Sequence, residues 1–281
     1  MAEAQAWLAK RDRDYAVGLG RAFAGAIIFS LPLLMTMEMW WLGFYLERFH
    51  LLQFGLLNFL VLVGLSRFAG FEETYSWTED VLDAFAAYAV AAVAALLILL
   101  LFGIVTPEMS RQEVIGKIAI QAVPASFGAM IANKQLGAAV EEESTVEERR
   151  RGTYHGQLFL MMAGALFLAY NVAPTEEMVL IAYQMTPWHG LALVLLSILL
   201  LHAFVYTVGF AGQEAELAER GFWAAFFRFS LVGYGIAVAV SLYVLWTFGR
   251  TEGVALPQVA MMTAVLGFPA AIGAAIARLV V

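Results

Sequence analysis

The sequence contains no cysteine among its 281 residues. It therefore forms no internal disulfide bond, and it offers neither a thiolate metal ligand nor a cysteine nucleophile. Charged residues are also scarce, at 14% of the chain against about 25% in soluble domains. Hydrophobic residues make up 62%, well above the roughly 45–50% of soluble domains. This composition excludes an ordinary soluble domain and predicts a polytopic membrane protein.

The short motifs that mark common catalytic sites are missing as well. The sequence has no phosphate-binding G-x-x-x-x-G-K-[S/T] loop, no G-x-S-x-G and no H-E-x-x-H. His155 and His202 are predicted at different depths of neighbouring helices, which disfavours a haem site. We therefore expect that the protein is not an enzyme and holds no cofactor. The net charge of −7 lies mainly in loops and helix ends, so we expect no nucleic-acid partner.

Long apolar segments dominate the rest of the chain. A helix needs about 20 mainly apolar residues to cross a bilayer, and eight segments meet this requirement, at roughly 22–45, 51–70, 78–103, 114–136, 155–174, 188–209, 223–248 and 256–280. The predicted fold class is all-α, a membrane bundle of eight transmembrane helices. The fourth segment must turn a polar face toward other helices or water, because it carries Lys117, Gln121, Pro124, Asn133 and Lys134.

An internal duplication organises these helices. The stretch Ala24–Met39 returns 139 residues later as Ala163–Met178, and the later helices match more loosely at spacings of 145–146. Each copy holds four helices, an even number, so both copies are predicted to enter the membrane in the same direction as parallel repeats. The predicted parts are a polar N-terminal segment (1–20), a first four-helix repeat (21–137), a charged linker (138–153) and a second four-helix repeat (154–281).

The basic residues predict the topology. If the N-terminus is cytoplasmic, four of the 16 lysines and arginines fall outside, and the remaining twelve fall inside. The four outside are Arg48, Arg111, Lys117 and Arg250. By the positive-inside rule, the N-terminal segment, the linker and both termini are predicted to be cytoplasmic.

Two acids in apolar surroundings, Glu38 and Glu177, are equivalent in the two repeats. Each is predicted near the outer end of its helix, and ionisable residues inside a membrane are functional by default. Carboxylates in an apolar funnel concentrate cations. His50 and His189, also equivalent, add nitrogen ligands that suit a transition metal ion.

A structural interpretation of the same residues stays open. The acids would then cap or bond neighbouring helices, and the histidines would be ordinary interface residues. Thr36 and Thr175, two residues before each acid, would either contact the cation or bond carbonyls freed by nearby prolines, and we favour the second role.

Asp83 and Arg228 carry opposite charges at nearly equivalent positions of the two repeats, and both are predicted on the cytoplasmic side at a similar depth in the membrane. We predict that they form a charge pair between the repeats, either structural or an inner gate, because an unpaired charge at that depth is costly.

The opening run DYAVGLGRAFAGAIIFSLPLLMTMEMWW, from Asp14 to Trp41, resembles the start of a family of bacterial integral membrane proteins of unknown function. The resemblance covers most of the chain. It implies a multi-pass protein of the bacterial inner membrane and implies no activity.

The residues therefore favour a cation channel, or a cation- or proton-coupled transporter, with an outer acidic site. Its expected partners are a cation of unknown identity and membrane lipids, and a homo-oligomer stays open. The alternative is a membrane scaffold or regulatory subunit with structural acids, and a lipid-modifying enzyme is less favoured. Polar side chains that would line a path are Gln53, Asn58, Gln121, Asn133, Tyr170 and Asn171.

Overall fold

The structure is a computed structural model that describes residues 2–69, 76–136, 153–208 and 222–280. Every regular element in these ranges is a helix. In chain order they are α1 (Ala2–Leu34), α2 (Met37–Tyr45), α3 (Arg48–Ala69), α4 (Trp77–Leu101), α5 (Arg111–Leu136), α6 (Tyr154–Val172), α7 (Glu176–Gln184), α8 (Pro187–Val208), the π-helix π1 (Phe226–Leu231), α9 (Val232–Thr247) and α10 (Leu256–Val280). Within the described ranges, eight helical spans are long and apolar enough to cross a membrane, which confirms the predicted fold class.

The first predicted span is wrong in its bounds. Instead of one helix over 22–45, α1 starts in the polar N-terminal segment and ends at Leu34, and the short helix α2 follows. Thr36 breaks the helix because its backbone is extended, with φ −97° and ψ 118°. Pro32, in the last turn of α1, already removes one backbone donor there. The equivalent break separates α6 from α7 after Pro174.

The duplicated sequence produces duplicated local structure. Helices α2 and α7 have the same length and lie 139 residues apart, and so do α3 and α8. Helices α4 and α9 both end at a glycine in the left-handed region, Gly103 and Gly249, each with φ 70°. In both places the N–H groups of the glycine and of the residue after it bond back to the last turn, as in a Schellman motif. The parallel relation of the repeats stays a prediction, and the linker lies outside the described residues except for Thr153.

The described residues pack into two compact units. Unit 1 contains residues 2–35 and 55–136, and unit 2 contains residues 36–54, 153–208 and 222–280. Segment 36–54 comes from the first repeat but belongs to unit 2. Phe54 helps to hold it there, since its buried ring lies edge-on to Tyr170 (4.9 Å) and to Phe248 (5.3 Å).

Each unit is built around one close helix crossing. In unit 1, Gly25 of α1 lies against the backbone of Gly128 of α5, so close that a side chain on either would collide with the other helix. In unit 2, Gly164 of α6 and Gly273 of α10 make the same approach. Small residues one turn apart allow such contacts in lipid, as the spacing of Gly128 and Ala132 predicts. The core of unit 1 is consequently dense, and every residue of α5 from Gln121 to Ala132 is buried.

Candidate functional site

The two predicted outer glutamates lie in the first turns of the short helices α2 and α7. Glu38 is half-buried, whereas Glu177 and its neighbour Glu176 are exposed. Carboxylates at a helix N-terminus interact favourably with the helix dipole. This local role explains an acid at each position without a ligand, so a shared cation site of Glu38 and Glu177 stays a prediction.

The residues predicted beside these acids have local partners. Thr175 Oγ1 donates a hydrogen bond to the carbonyl of Val172 at 2.8 Å, a carbonyl that also accepts the Thr175 N–H. The predicted role of the two threonines at carbonyls freed by the prolines stays a prediction. Thr36 occupies the equivalent N-cap position. His50 is buried with its ring 4.7 Å from that of Trp246, and His189 Nδ1 lies 3.0 Å from Thr186 Oγ1. Among the described residues, no three histidine, aspartate or glutamate side chains are grouped to hold a metal ion.

The predicted charge pair falls on two different units. Asp83 of unit 1 accepts a hydrogen bond from Ser66 at 3.0 Å. Arg228 of unit 2 lies 4.8 Å from the ring centroid of Tyr154. The pairing of Asp83 with Arg228 therefore stays a prediction.

Polar residues of α3, α4 and α5 form three groups within unit 1. Asp83 belongs to the first of these groups. Arg67 at the end of α3 donates to Asp80 near the start of α4 at 2.7 Å, and its guanidinium lies 3.9 Å from the ring centroid of Trp77. The Asp80 side chain is only 2% exposed. Because Asp80 and Asp83 lie three residues apart on α4, they share one face. We call Ser66, Arg67, Asp80 and Asp83 the inner group, after the predicted topology.

A second group lies in the middle of the unit. Asn58 of α3 donates to Ser126 Oγ of α5 at 2.9 Å and to Tyr88 Oη of α4 at 3.0 Å. Tyr88 in turn donates to the carbonyl of Gly55 at 3.1 Å. Asn58 and Ser126 are fully buried, yet no described residue donates to Asn58 Oδ1. We call Asn58, Tyr88 and Ser126 the central group.

A third group occupies the outer part of α5. Lys117 is 7% exposed, and its Nζ lies 3.0 Å from Glu113 Oε1. One turn deeper, fully buried Gln121 donates to the carbonyl of Leu33 at 3.1 Å. Its Oε1 atom is buried and accepts no hydrogen bond from the described residues. We call Glu113, Lys117 and Gln121 the outer group.

Together the three groups form what we call the polar track. Glu113 and Ser126 are separated by about 20 Å along α5, and Tyr88 and Asp80 by about 12 Å along α4, at 1.5 Å per residue. Ser126 and Tyr88 meet at Asn58. The sum of these two lengths, about 30 Å, is comparable with the thickness of the hydrocarbon core of a bilayer.

The second repeat has mostly apolar residues at the positions equivalent to the track. At the spacings of the duplication, Lys117, Gln121 and Ser126 correspond to Met262, Leu266 and Ala271, and Asp80 and Asp83 correspond to Phe226 and Phe229. Tyr88 keeps a tyrosine, Tyr234, and Asn58 becomes Ser197, which bonds to its own helix at Leu193. The same helix pattern therefore forms without the polar side chains, and the track is special to unit 1.

Sequence reasoning found part of this set. Asn58 and Gln121 were predicted path residues, and the polar face of the fourth helix was expected. The other predicted lining residues lie elsewhere: Asn171 donates to Phe167 of its own helix, Gln53 and Tyr170 belong to unit 2, and the Asn133 side chain lies outside the described part. Sequence reasoning missed Ser66, Arg67, Asp80, Tyr88, Glu113 and Ser126. Most of them could have been found by comparing the two repeats position by position and selecting polar residues of the first repeat that are apolar in the second.

Comparison with curated proteins and with solved structures gives no match. A family model does match, over residues 18–281, and its description reads "Putative integral membrane protein (DUF2391)". That description agrees with the eight apolar spans and attaches no activity to them. The chain therefore belongs to this family of multi-pass integral membrane proteins.

Proposed function

We propose that the protein moves a cation across the membrane through unit 1, along the polar track. The observation that carries this proposal is the pair of buried oxygens, Asn58 Oδ1 and Gln121 Oε1, that accept no bond from the described residues. Moving an amide or hydroxyl group from water into an apolar environment without a hydrogen-bond partner costs about 2–7 kcal/mol. An ion or a water chain that uses these oxygens offsets that cost.

The charges at the inner end of the track support a cation as the cargo. Asp80 and Asp83 supply two carboxylates at the inner end, and Asp80 is paired with Arg67. Acidic groups with low-dielectric walls raise the local concentration of cations. Glu38 and Glu177, which belong to unit 2, keep their predicted role of attracting cations at the outer surface of the protein. We place the protein in the bacterial inner membrane with both termini cytoplasmic, and we propose no catalytic step.

A scaffold or regulatory role is the second candidate. It is favoured by the bonds that join α3, α4 and α5 at Asn58, since a fully structural network would use the same contacts. The apolar counterparts in the second repeat weigh against this candidate, because they build the same helix pattern without that network.

Flux from proteoliposomes separates the two candidates. Purified protein is reconstituted, and the initial fluxes of H⁺, Na⁺ and K⁺ are measured under an imposed potential. We expect flux of at least one cation, reduced about tenfold or more by Asp83→Asn. The control is Glu108→Gln, which removes an exposed carboxylate from the loop between α4 and α5 and should leave the flux unchanged. Absence of flux of any of these cations from folded protein would favour the scaffold.

A further inference from the structure

We propose that the ion moved along the polar track is the proton, and that Lys117 and Glu113 exchange it at the outer end. This inference rests on the proposed cation transport and specifies its substrate. It starts from Lys117, whose buried ammonium lies on the track between the outer surface and Gln121. A cation that enters from outside must pass this positive charge, whereas a proton is handed on by it.

The centre of the track offers too few ligands for a metal ion. Ca²⁺ takes six to eight oxygen ligands and Mg²⁺ a near-ideal octahedron, and K⁺ filters replace the hydration shell by rings of carbonyls. In the central group, Asn58 already donates to Ser126 and to Tyr88, and Asn58 Oδ1 is a buried oxygen that accepts no bond from the described residues. Both Asn58 and Ser126 are 0% exposed. A metal ion that entered the central group would therefore lose its water ligands, and too few protein oxygens would replace them.

The same groups suit proton transfer. The hydroxyls of Ser66, Tyr88 and Ser126 both donate and accept hydrogen bonds, and so do carboxyl groups as they gain and lose protons. Gln121 and Ser126 are about 7.5 Å apart along the axis of α5 and lie on different faces of that helix, so the proposed route needs water molecules between them. The buried oxygens of Gln121 and Asn58 accept no bond from the described residues and would accept bonds from such waters. A proton then moves by hopping and needs no ion-sized space.

The proton balance at the outer end is closed. The Lys117 ammonium, paired with the Glu113 carboxylate, releases its proton to a water molecule beside Gln121. The Glu113 carboxylate then takes a proton from the outer solution and passes it to the neutral amine, which restores the ion pair. At the inner end, the Asp83 carboxylate accepts the proton and releases it to the cytoplasmic solution. One proton enters for each proton that leaves, and both ends return to their starting state.

Replacement of Lys117 by arginine tests this role apart from charge and packing. Arginine keeps the positive charge and can keep the ion pair with Glu113, but its guanidinium does not release a proton in proteins. We expect Lys117→Arg to lower proton flux into proteoliposomes about tenfold or more, with an unchanged thermal midpoint. Lys117→Met, which installs the residue found at the equivalent position 262, should lower it at least as much. Arg111→Gln, which removes an exposed charge from the start of the same helix, is the control and should retain wild-type flux.

The outcomes distinguish this inference from the function on which it rests. Proton flux without Na⁺ or K⁺ flux in the wild type, together with loss in Lys117→Arg, supports it. Na⁺ or K⁺ flux comparable with proton flux would overturn proton selectivity and leave cation transport standing. Proton flux at the wild-type rate in Lys117→Arg would overturn the relay role of Lys117. Absence of any cation flux in the folded wild type would overturn both proposals.

Discussion

The close crossing of α1 and α5 makes a quantitative prediction for Gly25→Ala. The added Cβ would lie 2.5 Å from the carbonyl oxygen of Gly128 and would also collide with Ala132 Cβ. A relaxed carbon–oxygen contact is about 3.3 Å, so the two helices must separate by roughly 0.8 Å at this point. Overpacking of a dense core costs about 1–3 kcal/mol. We expect a lower thermal midpoint in detergent, measured as loss of the monodisperse peak in size-exclusion chromatography after heating.

The matched control is Gly20→Ala in the same helix. Nothing lies within 4 Å of a Cβ at Gly20, and alanine is favoured over glycine by about 1 kcal/mol inside a helix. This variant should be as stable as the wild type or more so. Equal midpoints for Gly25→Ala and Gly20→Ala would refute the claim that backbone contact at Gly128 holds unit 1 together.

Two further predictions concern the inner group and the topology. Asp80→Asn should lower the thermal midpoint by the equivalent of about 1–3 kcal/mol, because it leaves Arg67 beside a neutral partner. The double variant Arg67→Leu, Asp80→Leu should recover stability. A thermal midpoint for the double variant below that of Asp80→Asn would contradict the pairing. A periplasm-dependent reporter fused after Val281 should give no signal, as the basic-residue count requires, and a strong signal there would reverse the assigned inner and outer ends.

The sequence predicted the fold well because membrane spans are read from apolar length and duplications from spacing. The break at Thr36 escaped this reasoning, since the apolar run continues through Met35 to Trp41 and hydropathy alone sees one span. The backbone turns there because Thr36 is extended, a conformation that composition does not reveal. The threonine two residues before each glutamate was the available sign of a new helix start, because threonine is a common N-cap residue.

The polar track could be predicted only in part. Gln121 and Ser126 are five residues apart, so they lie on different faces of α5, and only the packing decides which neighbour each side chain meets. Gln121 meets Leu33 of α1, and Ser126 meets Asn58 of α3. The equivalent glutamates attracted attention because they recur in both repeats. Most of the track residues do not recur in the second repeat, which has mainly apolar residues at the equivalent positions.

The central claim, transport through the polar side chains of unit 1, is tested most directly by giving unit 1 the residues of the second repeat. The double variant Gln121→Leu, Ser126→Ala carries the side chains found at Leu266 and Ala271. The control Thr263→Val removes a hydroxyl from α10 that donates to the Val259 carbonyl of the same helix. We predict that proteoliposomes with the double variant lose cation flux about tenfold or more, while Thr263→Val keeps it. Wild-type flux in the folded double variant would contradict the account.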